Sequence, residues 1–277
     1  MQAIVDMLDT AAPRDLVTLL YAPGHRPDAA AVEALAAAGA GSRTAAGAGS
    51  RTGAGAISGA GPGTAFAVTH RPAPPAQWLE LLTTGLTFDL RGLAPGAAAG
   101  HAGFVHRYGL RDDAAEGDAE ALTFAPGPHL AGGEGLLPVV RAAAGLALAL
   151  AALPGAVAVG WRPARALSGA AHFRASVGAW LAGGAFPALG LTALERAPDG
   201  AMTSEGLAAL IGQELWLEPA AGSAPADDAR LAVRLIDRLI ATGAIRQTMT
   251  VEPITGHRLT LEPDVPARLV RARRIAR

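Results

Sequence analysis

The run from Leu136 to Trp161, LLPVVRAAAGLALALAALPGAVAVGW, gathers more apolar surface than any other stretch of the 277-residue chain. From Ala142 to Trp161 it has twenty residues without a charge, about the length needed to span a bilayer. Two features argue against a span. Most of its bulk is Ala and Gly, which gain little on entering lipid, and Pro154-Gly155 splits it, since proline interrupts a helix and glycine takes the turn that follows. The pattern predicts a buried helix of about 18 residues feeding a buried strand at Ala156 to Trp161.

A chain of this length can bury about three quarters of its unfolded surface, and 51% of its residues are apolar, so a large core is available. The 23 basic residues are all Arg, with neither Lys nor Asn anywhere, a bias expected of a GC-rich bacterial genome. With 24 acidic residues the net charge is −1, which gives no electrostatic reason to expect nucleic acid or an anionic membrane as a partner. Cysteine is absent, excluding disulfides, thiolate metal sites and Cys nucleophiles. The N-terminal MQAIVDMLDTAAPRD carries no basic n-region and has Asp6 and Asp9 where a signal peptide needs apolar residues, so a cytoplasmic location is expected.

In chain order, Asp15 to Tyr21 reads as a strand, and Pro27-Asp28 opens an Ala-rich helix ending near Gly39. The tandem repeat AGSRTAAG, AGSRTGAG begins at Ala40, and residues 40–62 are expected to form a flexible Gly/Ala-rich insertion. Thr64 to His70 is a second strand, Ala76 to Thr84 a helix with Trp78, Leu81 and Leu82 inward, and Ala102 to Leu110 a third strand reached through a Gly/Ala-rich linker. Ser168 caps a helix through Leu181, Phe186 to Glu195 is extended, and Pro198-Asp199-Gly200 turns the chain into a bent strand from Met202 to Glu218 interrupted at Gly212. Asp227 to Thr242 has the best helical periodicity, with Asp227 or Asp228 as cap and Arg230, Arg234 and Arg238 on the solvated face. A hairpin follows from Thr248 to Glu262, and 266–277 forms a frayed basic tail. The expected fold is α+β, mainly antiparallel sheet with helices on one face, as a single domain over 1–277 or as two fused similar halves.

No stretch carries a catalytic or cofactor signature. Ser58, Ser168 and Ser204 lack the G-x-S-x-G frame, and without lysine no Walker loop is possible. Gly59, Gly61 and Gly63 have G-x-G-x-G spacing, with Pro62 removing an amide a phosphate loop needs. His101 and His106 are five apart, which matches neither a helix nor a strand face for metal ligation. No metal and no cofactor are expected.

The order of Trp161, a helix holding Phe173, the segments Met202-Thr203-Ser204-Glu205-Gly206-Leu207 and Ile211-Gly212-Gln213-Glu214-Leu215-Trp216-Leu217-Glu218, a helix ending at Gly243, and Thr255-Gly256 resembles the bacterial domain-of-unknown-function family DUF4261. That family carries T-x-G-L followed by F-G-x-x-E-x-E; here Thr203 is displaced by one residue and Ile211 stands in place of Phe. The resemblance implies an α+β domain without an established reaction, at home among toxin, immunity and secretion neighbourhoods. The resulting expectation is a cytoplasmic, non-enzymatic module for an unidentified protein partner, binding no membrane and no nucleic acid. Its contact surface is the bent segment with Glu205, Gln213, Glu214 and Trp216, an aromatic beside charges being common at interfaces. The alternative is a hydrolase or transferase whose site assembles only in three dimensions, drawn from His101, His106, Glu205 and Glu214.

Overall fold

The computed structural model describes residues 15–47, 65–73, 76–110, 116–220, 222, 224–254 and 257–275. The apolar run behaves as its composition requires. Helix α2 (Leu137–Leu150) ends before Pro154, Gly155 turns with φ +80°, and strand β7 (Ala156–Trp161) follows. Small residues let α2 approach the sheet closely, and Val139, Val140, Leu146 and Leu150 are buried along it. Tyr21 donates its hydroxyl to the Leu150 carbonyl at 3.0 Å, satisfying a helix-end acceptor, and burial pushes this phenol well above its ordinary pKa. Among the described residues no helix is long and apolar enough to cross a membrane.

β7 lies in an eight-stranded sheet with β1 (Val17–Tyr21), β2 (Ala67–His70), β3 (Trp78–Thr83), β4 (Leu86–Arg91), β5 (His106–Tyr108), β6 (Glu120–Pro126) and β8 (Ala166–Gly169). The order is β2-β3-β4-β6-β1-β7-β8-β5, antiparallel except for β5 against β8. A second, six-stranded sheet takes the rest of the chain: β9 (Ala193–Arg196), β10 (Met202–Glu205), β11 (Glu214–Leu217), β12 (Met249–Ile254), β13 (His257–Asp264) and β14 (Leu269–Arg274). Its order is β12-β13-β14-β11-β10-β9, again with one parallel pair, β11 and β14. The fold is α+β, built from two mostly antiparallel mixed sheets in succession, and one continuous core joins Trp161 and Phe173 of the first half to Leu207, Leu215 and Ile236 of the second. The remaining helices are α1 (Ala29–Gly47), α3 (Ala170–Leu181), the irregular turn α4 (Ala188–Leu191), the single turn α5 (Ala208–Ile211) and α6 (Pro225–Thr242).

Several expectations are corrected by the structure. The helix expected over Ala76 to Thr84 is strand β3, paired with β4 across Thr84 and Gly85, whose φ of 50° and 81° suit a tight hairpin turn. Leu79, Leu81 and Thr83 are buried while Trp78, Glu80 and Leu82 are half-buried, a period of two that the Leu-Leu pair disguises. The supposed linker after it contains β4, and β6 was unanticipated because six of its seven residues are buried and show no alternation. Helix α1 does not stop at Gly39 but runs to Gly47, through the first copy of the repeat; residues 48–64, including the rest of the expected insertion, lie outside the described residues. Ser168 is a buried residue of β8, and Gly169 occupies the cap position of α3, where a Cβ would sit 2.2 Å from the Gly109 carbonyl oxygen. The extended segment at Phe186 to Glu195 contains α4 before β9 begins, and the bent strand is β10, α5 and β11 in turn. The cap position of α6 is Ala224, not Asp227 or Asp228, which lie inside its first turn. The tail is no tail: β14 inserts between β13 and β11, with Val270 and Ala272 inward and Arg271 and Arg273 outward.

Candidate functional site

The four residues expected to form a contact surface part company in the structure. Glu214 is consumed internally: its carboxylate accepts the Ser204 hydroxyl and the backbone N–H groups of Gly206 (2.9 Å), Leu207 (3.2 Å) and Ala208 (2.9 Å). This holds the turn between β10 and α5, where Gly206 (φ +89°) passes so close to Ala164 that a Cβ would lie 2.8 Å from its Cα. Gln213 is buried and its amide both donates to the Ile245 carbonyl (3.0 Å) and accepts the Ile245 N–H (2.8 Å), pinning the segment after α6. Both are fold-holding residues. Trp216 and Glu205 remain open to other roles.

Trp216 is half-buried on the outer face of the second sheet, opposite the face packed by α6 through Leu231, Leu235 and Leu239. Register places Glu195, Thr203, Trp216, Arg271 and Glu262 in one row across four strand pairings. The Arg271 guanidinium lies 5.3 Å from the Trp216 ring and is fixed by Asp264, whose carboxyl it holds below the ordinary range.

Glu205 belongs to a different cluster, at the seam where edge strands β5 and β9 face each other. His106 Nε2 lies 2.7 Å from Glu205 Oε2, and Arg165 makes a two-pronged contact with the same carboxylate, its Nη2 donating to Oε2 at 3.0 Å. Arg165 sits in the left-handed region (φ 45°) after the single turn Arg162–Ala164, and is held there because its carbonyl accepts the N–H groups of Val105 (2.8 Å) and His106 (3.1 Å). Tyr108, two residues along β5 from His106, accepts the N–H of Leu194 on the edge of β9 at 3.3 Å. The Arg165 guanidinium holds Glu205 below the ordinary glutamate range; burial opposes this and His106 assists it. Burial raises the Tyr108 phenol, the Leu194 N–H opposes the shift, and the Glu205 charge adds to it. An ionised carboxylate is an acceptor only, so Nε2 of His106 carries the proton of that bond.

The sequence thus named His106 and Glu205 without their partners. Tyr108 was readable, since a strand places i and i+2 on one face; Arg165 was not, because nothing local announces a left-handed arginine. His101 is not brought to this cluster and instead lines a shallow cavity of about 220 Å³ with Leu20, Phe104 and Leu167. Arg230 pairs with Asp227 on the exposed side of α6, beside exposed Arg234 and Arg238. The Gly59 to Gly63 segment lies outside the described residues. Among those described, no three His, Asp or Glu gather in a way that could hold a metal ion.

The fold and the two clusters define the class only as far as an α+β protein with two mixed sheets. No family model, no curated protein and no solved structure matches the chain.

Proposed function

We propose that the chain is a protein-interaction module of a bacterial cytoplasm, with the outer face of the second sheet around Trp216 as its contact surface. The observation that supports this is the asymmetry of that sheet: one face is filled by α6, while the other presents a half-buried indole stacked with Arg271. Trp and Arg are among the residue types most enriched at interface hot spots. Glu195, Thr203 and Glu262 surround it as a polar rim. The likeness to the DUF4261 pattern supports an immunity-like role near toxin or secretion systems.

Affinity capture from a bacterial lysate, run in parallel with wild-type protein and Trp216→Ala, tests this reading. A specific protein retained by the wild type and lost with the variant, at unchanged circular dichroism, is the expected outcome. Recovery of no specific protein, or equal recovery with both, counts against it.

A further inference from the structure

The seam between the two sheets holds chemistry that the contact surface around Trp216 does not use. The His106 ring is fixed from one side only. Its Nε2 donates to Glu205 Oε2 at 2.7 Å, whereas Nδ1 bonds to no described residue and reaches solvent from a side chain 11% exposed. With the proton confined to Nε2, the neutral imidazole presents the lone pair of Nδ1 outward, the arrangement a carboxylate imposes on a general base. Arg165, whose Nε and Nη2 are engaged by Glu205, keeps Nη1 unbonded among the described residues on a side chain 53% exposed. A cation there is suited to an oxygen on which negative charge develops.

We propose that His106 is a general base for hydrolysis of a small ester presented at this seam, with Nδ1 as the proton acceptor and Glu205 as the positioning residue. Nδ1 takes a proton from water as the water oxygen bonds to the acyl carbon. The tetrahedral intermediate then collapses, the bond from acyl carbon to leaving oxygen breaks, and the electron pair departs on that oxygen. The imidazolium, stabilised by the Glu205 carboxylate, returns its proton to solvent. The products are the carboxylic acid and the alcohol or phenol, and no co-reactant beyond water is consumed. The charged and titratable groups facing His106 and its partners are Glu205 on β10, Arg165 before β8, Tyr108 on the same face of β5 and Glu195 on β9, which acts on Arg165.

The test uses the full chain and 4-nitrophenyl acetate, with pH–rate profiles for wild type, His106→Gln, Glu205→Gln and Arg165→Gln. His106→Gln is expected to lower the rate by about tenfold or more. Glu205→Gln removes the anion that favours imidazolium and moves the profile to lower pH; Arg165→Gln removes the opposing cation and moves it to higher pH. A purely structural role for these residues shifts neither profile. Hydrolysis by His106→Gln at the wild-type rate, or a wild-type rate no greater than that of free imidazole at equal concentration, overturns the proposal. If His106→Gln loses its circular dichroism signal, the two other profiles decide: opposite shifts support the base, coincident profiles refute it.

Discussion

The two sheets are held by different physics. The first is filled around its centre by large apolar side chains: Val17, Leu19 and Tyr21 of β1 meet α2 on one face, while Leu20, Ala121, Ala158 and Leu167 form a smaller cluster on the other. The second has an apolar inner face against α6, and its loops and last strand are fastened by polar side chains. Asp228 of α6, almost fully buried, accepts from Arg274 at 2.6 Å; Gln213 clasps Ile245; Glu214 gathers the turn after β10. A chain can therefore secure a central strand by burial alone, but a sheet filled on one face and closed by its own terminal strand needs directional contacts to fix register.

If this contrast holds, apolar truncation is most costly in the first sheet. Phe124 of β6 is fully buried and meets Phe88 edge-to-face with ring centroids 6.0 Å apart. Phe124→Ala is expected to cost about 3–5 kcal/mol in urea unfolding, through lost transfer energy and the cavity left behind. In the second sheet the comparable effect comes from a polar change. Arg274→Met leaves the Asp228 carboxylate buried without its cation, and the expected loss is about 3 kcal/mol, at the low end for a broken buried pair because Arg274 retains 24% exposure. A cost as small as that of an exposed Arg substitution, such as Arg234→Met, breaks the comparison. Gln213→Ala strips the Ile245 N–H and carbonyl of their partners, with an expected cost of about 1–3 kcal/mol. Hydrogen exchange at Ile245, faster in this variant while β1 amides stay protected, localises the effect.

The same contrast explains what was legible in the sequence. Where one side chain type does the work, pattern suffices: the helix and strand of Leu136 to Trp161, the stripe Leu231, Leu235, Ile236 and Leu239, and the turn at Pro198-Asp199-Gly200 were all readable from spacing. Strand β6, buried on both faces, has no period to read, and β3 resembles a helix in sequence because Leu81-Leu82 places apolar residues on both of its faces. The terminal strand was hidden by its arginines, since the signal lay in Val270 and Ala272 between them. Of the seam, His106 and Glu205 were named from residue type, but their meeting depends on two edges brought together by the whole fold, from positions 99 residues apart.

The smallest expected effect sharpens the comparison at that seam, where charged side chains of the two halves meet. Because Arg165 and His106 lower the Glu205 pKa in the folded protein, the unfolded carboxyl, titrating at about 4.3, binds a proton first as pH falls. The contribution of the ionised group is therefore fully present above the unfolded value and is lost as pH falls through the lower, folded value. Glu205 is one quarter exposed and Arg165 more than half, so solvent screens the pair and its worth is about 1 kcal/mol or less. Urea midpoints of wild type and Glu205→Gln should differ most near neutral pH and converge in acid, below the ordinary carboxylate range. High salt should narrow the neutral-pH difference, as screening weakens the partly exposed Arg165 contact, while leaving the cost of Phe124→Ala nearly unchanged. A gap that persists undiminished in acid would mean that Glu205 joins the sheets by packing, and the seam would then belong with the apolar half of the molecule.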